Sequence, residues 1–259
     1  MLPLLRSLSI LAAAAVAQPV AALSPMAPPL QASQQVIVVT TEGWDATQGR
    51  LQAYERNRVD EAWRPHGAAF TVAVGRNGSA WGLGRAALSA AGPQKQEGDG
   101  RSPAGVFDIG PAFGYAPRIS SALPYQPMQA SSYCMDVPDS RYYNRIVDAE
   151  VVGAEAVEGS TEPMRLDLHN QGDIRYREGF VIAHNGSGTP GRGSCIFAHL
   201  WRAPGEATAG CTAMPAARMS ALLGWLAPAA RPAFVLMPRA QYLQLRDAWQ
   251  LPALTGDAR

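Results

Sequence analysis

The chain has 259 residues, enough to bury one large core or two small ones. Apolar residues make up 47% and charged residues only 17%, with 22 Lys and Arg against 21 Asp and Glu. A formal net charge of +1 gives no electrostatic footprint for nucleic acid, and no block of like charge or sustained heptad suggests a polyelectrolyte partner or a coiled coil.

The N-terminus reads as a targeting segment. Arg6 is a short positive region, residues 8–16 are an apolar run too short to span a bilayer comfortably, and small residues follow at Ala15 and Ala17 or Val20 and Ala22. A signal peptide over residues 1–22, a Pro-rich linker over 23–34 and one domain over 35–259 are expected. The mature protein would then work in the periplasm or cell envelope. If the segment stays uncleaved, it gives a transient membrane association. Cys134, Cys195 and Cys211 are an odd set, so at least one thiol has no partner within the chain. Cys134 and Cys195 either pair or pack as small apolar residues.

Residues 36–41 (VIVVTT) are β-branched and predict a strand. Asp45 suits a helix cap, with a helix over 46–58. Residues 70–81 read as a hairpin around Asn77-Gly78. A Gly-rich stretch, GDGRSPAGVFDIG, spans 98–110 and contains a short strand over 106–109. Residues 117–138 carry four prolines and read as a long loop of the kind that is usually functional or poorly ordered. Residues 165–170 alternate like a strand. Strands are expected over 180–184 (FVIAH) and 195–200 (CIFAHL), separated by a small-residue loop. A second loop, WRAPGEATAG, then delivers Cys211. Pro215 suits the first position of a helix bearing Met219, Leu222, Leu223 and Leu226 at helical spacing. A strand over 234–237 and a helix over 242–249 complete a mainly β chain with few helices.

The chemistry converges on Cys211. His199 ends one strand, and the following loop returns a cysteine toward it. A neighbouring imidazole can take the thiol proton and leave an ion pair, which makes a nucleophile. Gly210 lets the backbone approach closely, so nearby amides can face a developing oxyanion. A Cys and a His twelve residues apart are weak evidence by themselves, since buried structural residues give the same spacing.

The segment HNGSGTPGRGSCIFAHLWRAPGEATAGCTAM, residues 184–214, resembles the catalytic segment of the L,D-transpeptidase family, the YkuD-like domain. That family carries a strand-end His, a loop, then Ser or Thr, one residue, Gly and the nucleophilic Cys. His199, Thr208, Gly210 and Cys211 match those positions. GDGRSPAGVFDIG resembles a second family motif, and SRYYNRIV (140–147) a third found in one branch. Ala209 and Ala213 stand where many members have His and Arg, matching a branch with a T-x-G-C-x-A-M ending.

The resemblance implies a mixed β-sandwich with a few peripheral helices, and thioester chemistry on peptidoglycan stem peptides. Cys211 would be the nucleophile and His199 the base and acid. Gly210, Thr208, His184, Asn185, Ser194 and Arg202 are expected to touch substrate or support the dyad. A second stem amine would resolve the thioester into a crosslink. Water would make the protein a carboxypeptidase, attack at another bond an amidase, and loss of turnover a wall-binding module. No cofactor is implied. Zinc on His184, Cys195, His199 and Cys211 is disfavoured, because Cys195 and His199 would lie about 13 Å apart along one strand. The Gly-rich stretch lacks the Gly-Lys-Ser/Thr ending of a phosphate loop.

Overall fold

A computed structural model describes residues 27–86 and 91–255. The expected signal peptide, residues 1–22, lies outside the described residues. In chain order the strands are β1 (Gln35–Thr41), β2 (Gln48–Glu55), β3 (Arg64–Ala73), β4 (Ser79–Trp81), β5 (Ser102–Gly114), β6 (Tyr125–Pro127), β7 (Ser132–Cys134), β8 (Ile146–Asp148), β9 (Glu162–Pro163), β10 (Glu178–Ile182), β11 (Phe197–Leu200), β12 (Thr212–Met214) and β13 (Ala233–Pro238). The α-helices are α1 (Ala149–Val152), α2 (Leu166–His169), α3 (Ala216–Trp225) and α4 (Arg239–Trp249).

The main sheet runs β10-β11-β12-β3-β2-β1-β13-β5-β4, and β10 also pairs with β5. β5 makes that closure possible. Its residues 105–108 pair with β13, while Ile109 and residues 112–114 pair with β10. One long strand thus serves both halves of the sheet, which wraps around a core of Val36, Val38, Phe107, Phe180, Val235 and their neighbours. The pairing is mixed: β1 with β13 and β11 with β12 are parallel, and most of the rest are antiparallel. α3 buries Met219, Leu222 and Leu223 in the core, the i, i+3, i+4 stripe expected from its sequence. The mainly β architecture with few helices is therefore as expected.

Several local expectations are corrected. The helix predicted over 46–58 is strand β2. Its Gln, Arg, Leu and Ala residues favour a helix in isolation, but β1 and β3 pair on either side of it and override that preference. Residues 165–170 are not a strand. The Arg165 guanidinium grips Asp167 two residues on, at 2.8 Å, and the backbone closes the single turn of α2. At Asn77-Gly78 the turn forms, with the Gly78 amide donating to the Gly75 carbonyl at 2.8 Å. Its arms then diverge: β3 joins β2 and β12, whereas β4 pairs in parallel with β5. Gly78 is obligatory there, since φ is +85° and a Cβ would sit 1.9 Å from the Trp44 carbonyl oxygen. The proline-rich stretch 117–138 contains β6 and β7.

Residues 28–34, expected as linker, pack against the sheet. Leu30 is fully buried, and the Arg56 guanidinium donates to the Leu30 and Ser33 carbonyls at 2.7 and 2.8 Å.

Candidate active site

A short parallel crossover builds the site. β11 and β12 are adjacent and parallel, in register Ala198 with Thr212, His199 with Ala213 and Leu200 with Met214. Residues 201–211 make the connection, close to the shortest that parallel neighbours permit. It delivers Cys211 immediately before β12, beside Phe197. Because strand side chains alternate, Phe197, His199, Cys211 and Ala213 share one face. On sheet spacing and rise, the Cα atoms of Cys211 and His199 are about 8 Å apart, a span that two side chains leaving one face can close.

The thiol is held on both sides. The Phe197 amide donates to Cys211 Sγ at 3.3 Å, and Sγ lies 3.6 Å from the Cys195 carbonyl oxygen as donor. Burial, together with the nearby Glu162 carboxylate, pushes the Cys211 thiol up to about 12. His199 Nδ1 lies 2.7 Å from the Leu200 carbonyl oxygen. A carbonyl only accepts, so Nδ1 carries the proton and Nε2 keeps its lone pair. Burial pulls His199 down to about 4. No hydrogen bond joins the two side chains among those of the described residues. Burial thus disfavours the charge on each member of the expected ion pair. Lys95 and Arg175 favour the thiolate and Asp173 favours the imidazolium, but desolvation outweighs them at both groups.

Gly210 and Thr208 shape the approach to Cys211. Thr208 Oγ1 donates to the Cys211 carbonyl at 2.7 Å and accepts from the Gly210 amide at 3.1 Å, so that amide is already engaged. Gly210 has φ +154°, and a Cβ there would stand 3.1 Å from the Arg101 carbonyl oxygen. A second hydroxyl, Ser102 Oγ, donates to the same Cys211 carbonyl at 3.0 Å and accepts from the Gly75 amide at 2.9 Å. Asp99 and Arg101 fix the turn before it. Asp99 Oδ1 accepts from the Arg101 amide at 2.9 Å, and Arg101 pairs with Asp45 at 2.8 Å. The Gly-rich motif is thus a brace for the backbone of Cys211.

His184 and Asn185 stand behind the site. His184 is buried, with Nδ1 accepting from the Leu83 amide at 3.1 Å and Nε2 donating to the Arg192 carbonyl at 2.8 Å. Both ring nitrogens are satisfied, and burial pulls its pKa to about 4. Asn185 is fully buried, and its side chain ties down Thr189 and Gly193 in the loop before Cys195. Ser194 lines the cleft and donates to Glu97 at 2.7 Å. Arg202 is 61% exposed and paired with Glu206, and it does not line the cleft that holds Cys211.

Cys134 and Cys195 form a disulfide, leaving Cys211 as the free thiol. With Cys195 so used and His184 saturated, the four residues weighed for zinc do not converge. Cys195 has φ +55°, so β11 begins at Phe197 rather than at residue 195. Asn144, in the third motif, locks this bend. Its Oδ1 accepts from the Cys195 amide at 2.9 Å, and its Nδ2 donates to the His184 and Asn185 carbonyls.

Cys211 opens on a cleft of about 310 Å³ whose walls include Glu97, Asp136, Glu162 and Ser194. Behind the thiol, Tyr176 presents its ring edge-on to His199 with centroids 5.3 Å apart, and its hydroxyl donates to Glu162. Burial raises Glu162 to about 7. Sequence reading missed Ser102, Asn144, Glu162 and Tyr176. Ser102 and Asn144 at least lie within quoted motifs; Glu162 and Tyr176 lie in stretches with no chemical signature.

The structure is a closed, mixed β domain with a free cysteine, Cys211, at the head of a parallel strand pair, next to a tautomer-fixed histidine. The family model of the L,D-transpeptidase catalytic domain, YkuD, matches residues 35–235, and the chain belongs to that family. Comparison with curated proteins and with solved structures gives no match.

Proposed function

We propose that this protein is an exported cysteine acyltransferase, an L,D-transpeptidase, acting on peptidoglycan stem peptides through a thioester at Cys211. The carrying observation is the β11–β12 register, with Cys211 and His199 on one face and the thiol on a cleft wall. Membership of the transpeptidase family supplies the substrate class. The apolar run at residues 8–16 and the Cys134–Cys195 disulfide both favour an oxidising compartment outside the cytoplasm.

The reaction starts from neutral partners. Cys211 Sγ attacks the carbonyl of the diamino acid at position three while His199 Nε2 takes the thiol proton. The C–N bond to the terminal D-alanine breaks, and His199 returns the proton to the leaving amine. The Phe197 amide, already aimed at the sulfur, and the Thr208 and Ser102 hydroxyls on the Cys211 carbonyl hold the nucleophile in place without reorganisation. An incoming amine then attacks the thioester and gives a crosslink.

Incubation of the purified protein with tetrapeptide muropeptides, followed by mass spectrometry, tests this. A crosslinked dimer is expected. A trimmed monomer alone would make the protein a carboxypeptidase. Unchanged products with Cys211→Ala would remove the assignment of the nucleophile. A covalent carbapenem adduct on Cys211 is expected as well.

A further inference from the structure

Glu162 sits awkwardly for the first half of such a reaction. It shares the cleft wall with Cys211, and its charge opposes thiolate formation. It comes from β9 of the small β8-β7-β9 sheet, which the Cys134–Cys195 bridge fastens beside the nucleophile. Tyr176 connects it to the dyad, with the hydroxyl on Glu162 Oε1 and the ring edge against His199. The acylation step proposed above uses no carboxylate, whereas an ammonium acceptor needs a base before it can attack. A stem amine arrives as an ammonium and is no nucleophile until it loses a proton.

Resting on the transpeptidase reading, we propose that Glu162 is the acceptor-side base: it binds the incoming ammonium and takes its proton as the nitrogen attacks the thioester on Cys211. The protons balance. R–NH3+ gives one proton to the Glu162 carboxylate, and the freed lone pair forms the C–N bond at the thioester carbonyl. As the C–S bond breaks, the second nitrogen proton passes through His199 Nε2 to the departing sulfur. Amide, Cys211 thiol and protonated Glu162 result, and Glu162 releases its proton to solvent. The groups facing Glu162 are Tyr176, Asp136, Arg175 and Cys211. Desolvation outweighs the Tyr176 hydrogen bond and holds the carboxyl near neutrality, a suitable strength for a base at pH 7.

The test separates the two half-reactions on the full chain. Intact-protein mass spectrometry follows thioester build-up from a donor tetrapeptide. Its consumption is then followed on adding a stem tripeptide with a free side-chain amine. Glu162→Gln is expected to slow amine consumption at pH 7 by about tenfold or more relative to its effect on thioester build-up. The deficit should shrink as pH approaches the amine's own pKa of about 10. Glu162→Asp should restore part of the rate. Tyr176→Phe, which removes a hydrogen bond that favours the carboxylate, should move the pH dependence of amine consumption upward. Equal losses in both half-reactions, or no loss in either, would overturn the assignment of Glu162 while leaving the transpeptidase reading intact. Absence of any thioester in the wild type would overturn both.

Discussion

The thiol of Cys211 lies 3.6 Å from the carbonyl oxygen of Cys195, and Cys195 is covalently bound to Cys134 on the small sheet. The bridge therefore holds one wall of the cleft and one contact of the Cys211 thiol together. It closes a loop of 61 residues, for which chain entropy gives about 4 kcal/mol of stabilisation. The double variant Cys134→Ser, Cys195→Ser should lose a large part of that in urea unfolding and should also form the thioester more slowly. Unaltered stability and acylation together would show that the bridge is incidental.

The neutral dyad has a kinetic signature. With His199 near 4 and Cys211 near 12, neither titrates between those values in the free enzyme. In a Glu162→Gln background, where the neighbouring carboxyl no longer titrates, the rate of carbapenem acylation should therefore be nearly flat from about pH 5 to 10, falling only as His199 becomes protonated. Alkylation of Cys211 by iodoacetamide at pH 7 should be far slower than that of a free thiol. A clear inflection in the acylation rate of that variant between pH 6 and 9 would speak for a preformed ion pair instead.

Two hydroxyls converge on the Cys211 carbonyl, and they differ in what else they hold. Ser102→Ala strips a partner from both the Gly75 amide and the Cys211 carbonyl in a buried setting, for which about 2–4 kcal/mol of lost stability is expected. Thr208→Ala removes a contact from a half-buried loop. It should cost less stability while still lowering the acylation rate. Thermal melts and carbapenem acylation rates of the two variants would check the ordering.

Stability should depend on pH with opposing contributions. His184 and His199 have folded pKa values near 4, below the ordinary 6.5, so the unfolded chain binds more protons between those values. Each then contributes stability that rises with pH across that window and is lost on acidification, by about 3 kcal/mol. Glu162 does the reverse. Raised from 4.5 to about 7, it is protonated in the fold and ionised in the unfolded chain, so stability falls as pH rises through that range. Glu162→Gln should therefore show a steeper gain in stability between pH 4.5 and 7 than the wild type, by up to about 3 kcal/mol. Parallel denaturation curves across that range would contradict the placement of Glu162.

Sequence and fold contributed different parts of this site. The β-branched run of β1, the apolar stripe of α3 and the spacing of Thr208, Gly210 and Cys211 after a strand-end histidine are local patterns. Local patterns survive into the structure because each fixes its own backbone. The sequence by itself determined the family, the mainly β class and the nucleophile candidate. It failed at β2, where helix-favouring residues yield to strands pairing on both sides, and at α2, where an Arg165–Asp167 contact two residues apart replaces the expected strand. Only the tertiary structure paired Cys134 with Cys195, saturated both nitrogens of His184 and turned Arg202 onto Glu206. It alone brought Glu162 and Tyr176 to the thiol. These are relations between residues far apart in the chain, set by which strand lies next to which. Burial then biases the charge state: it pushes the Cys211 thiol up and the His199 imidazole down, toward the neutral forms, a property that no spacing of residue types encodes.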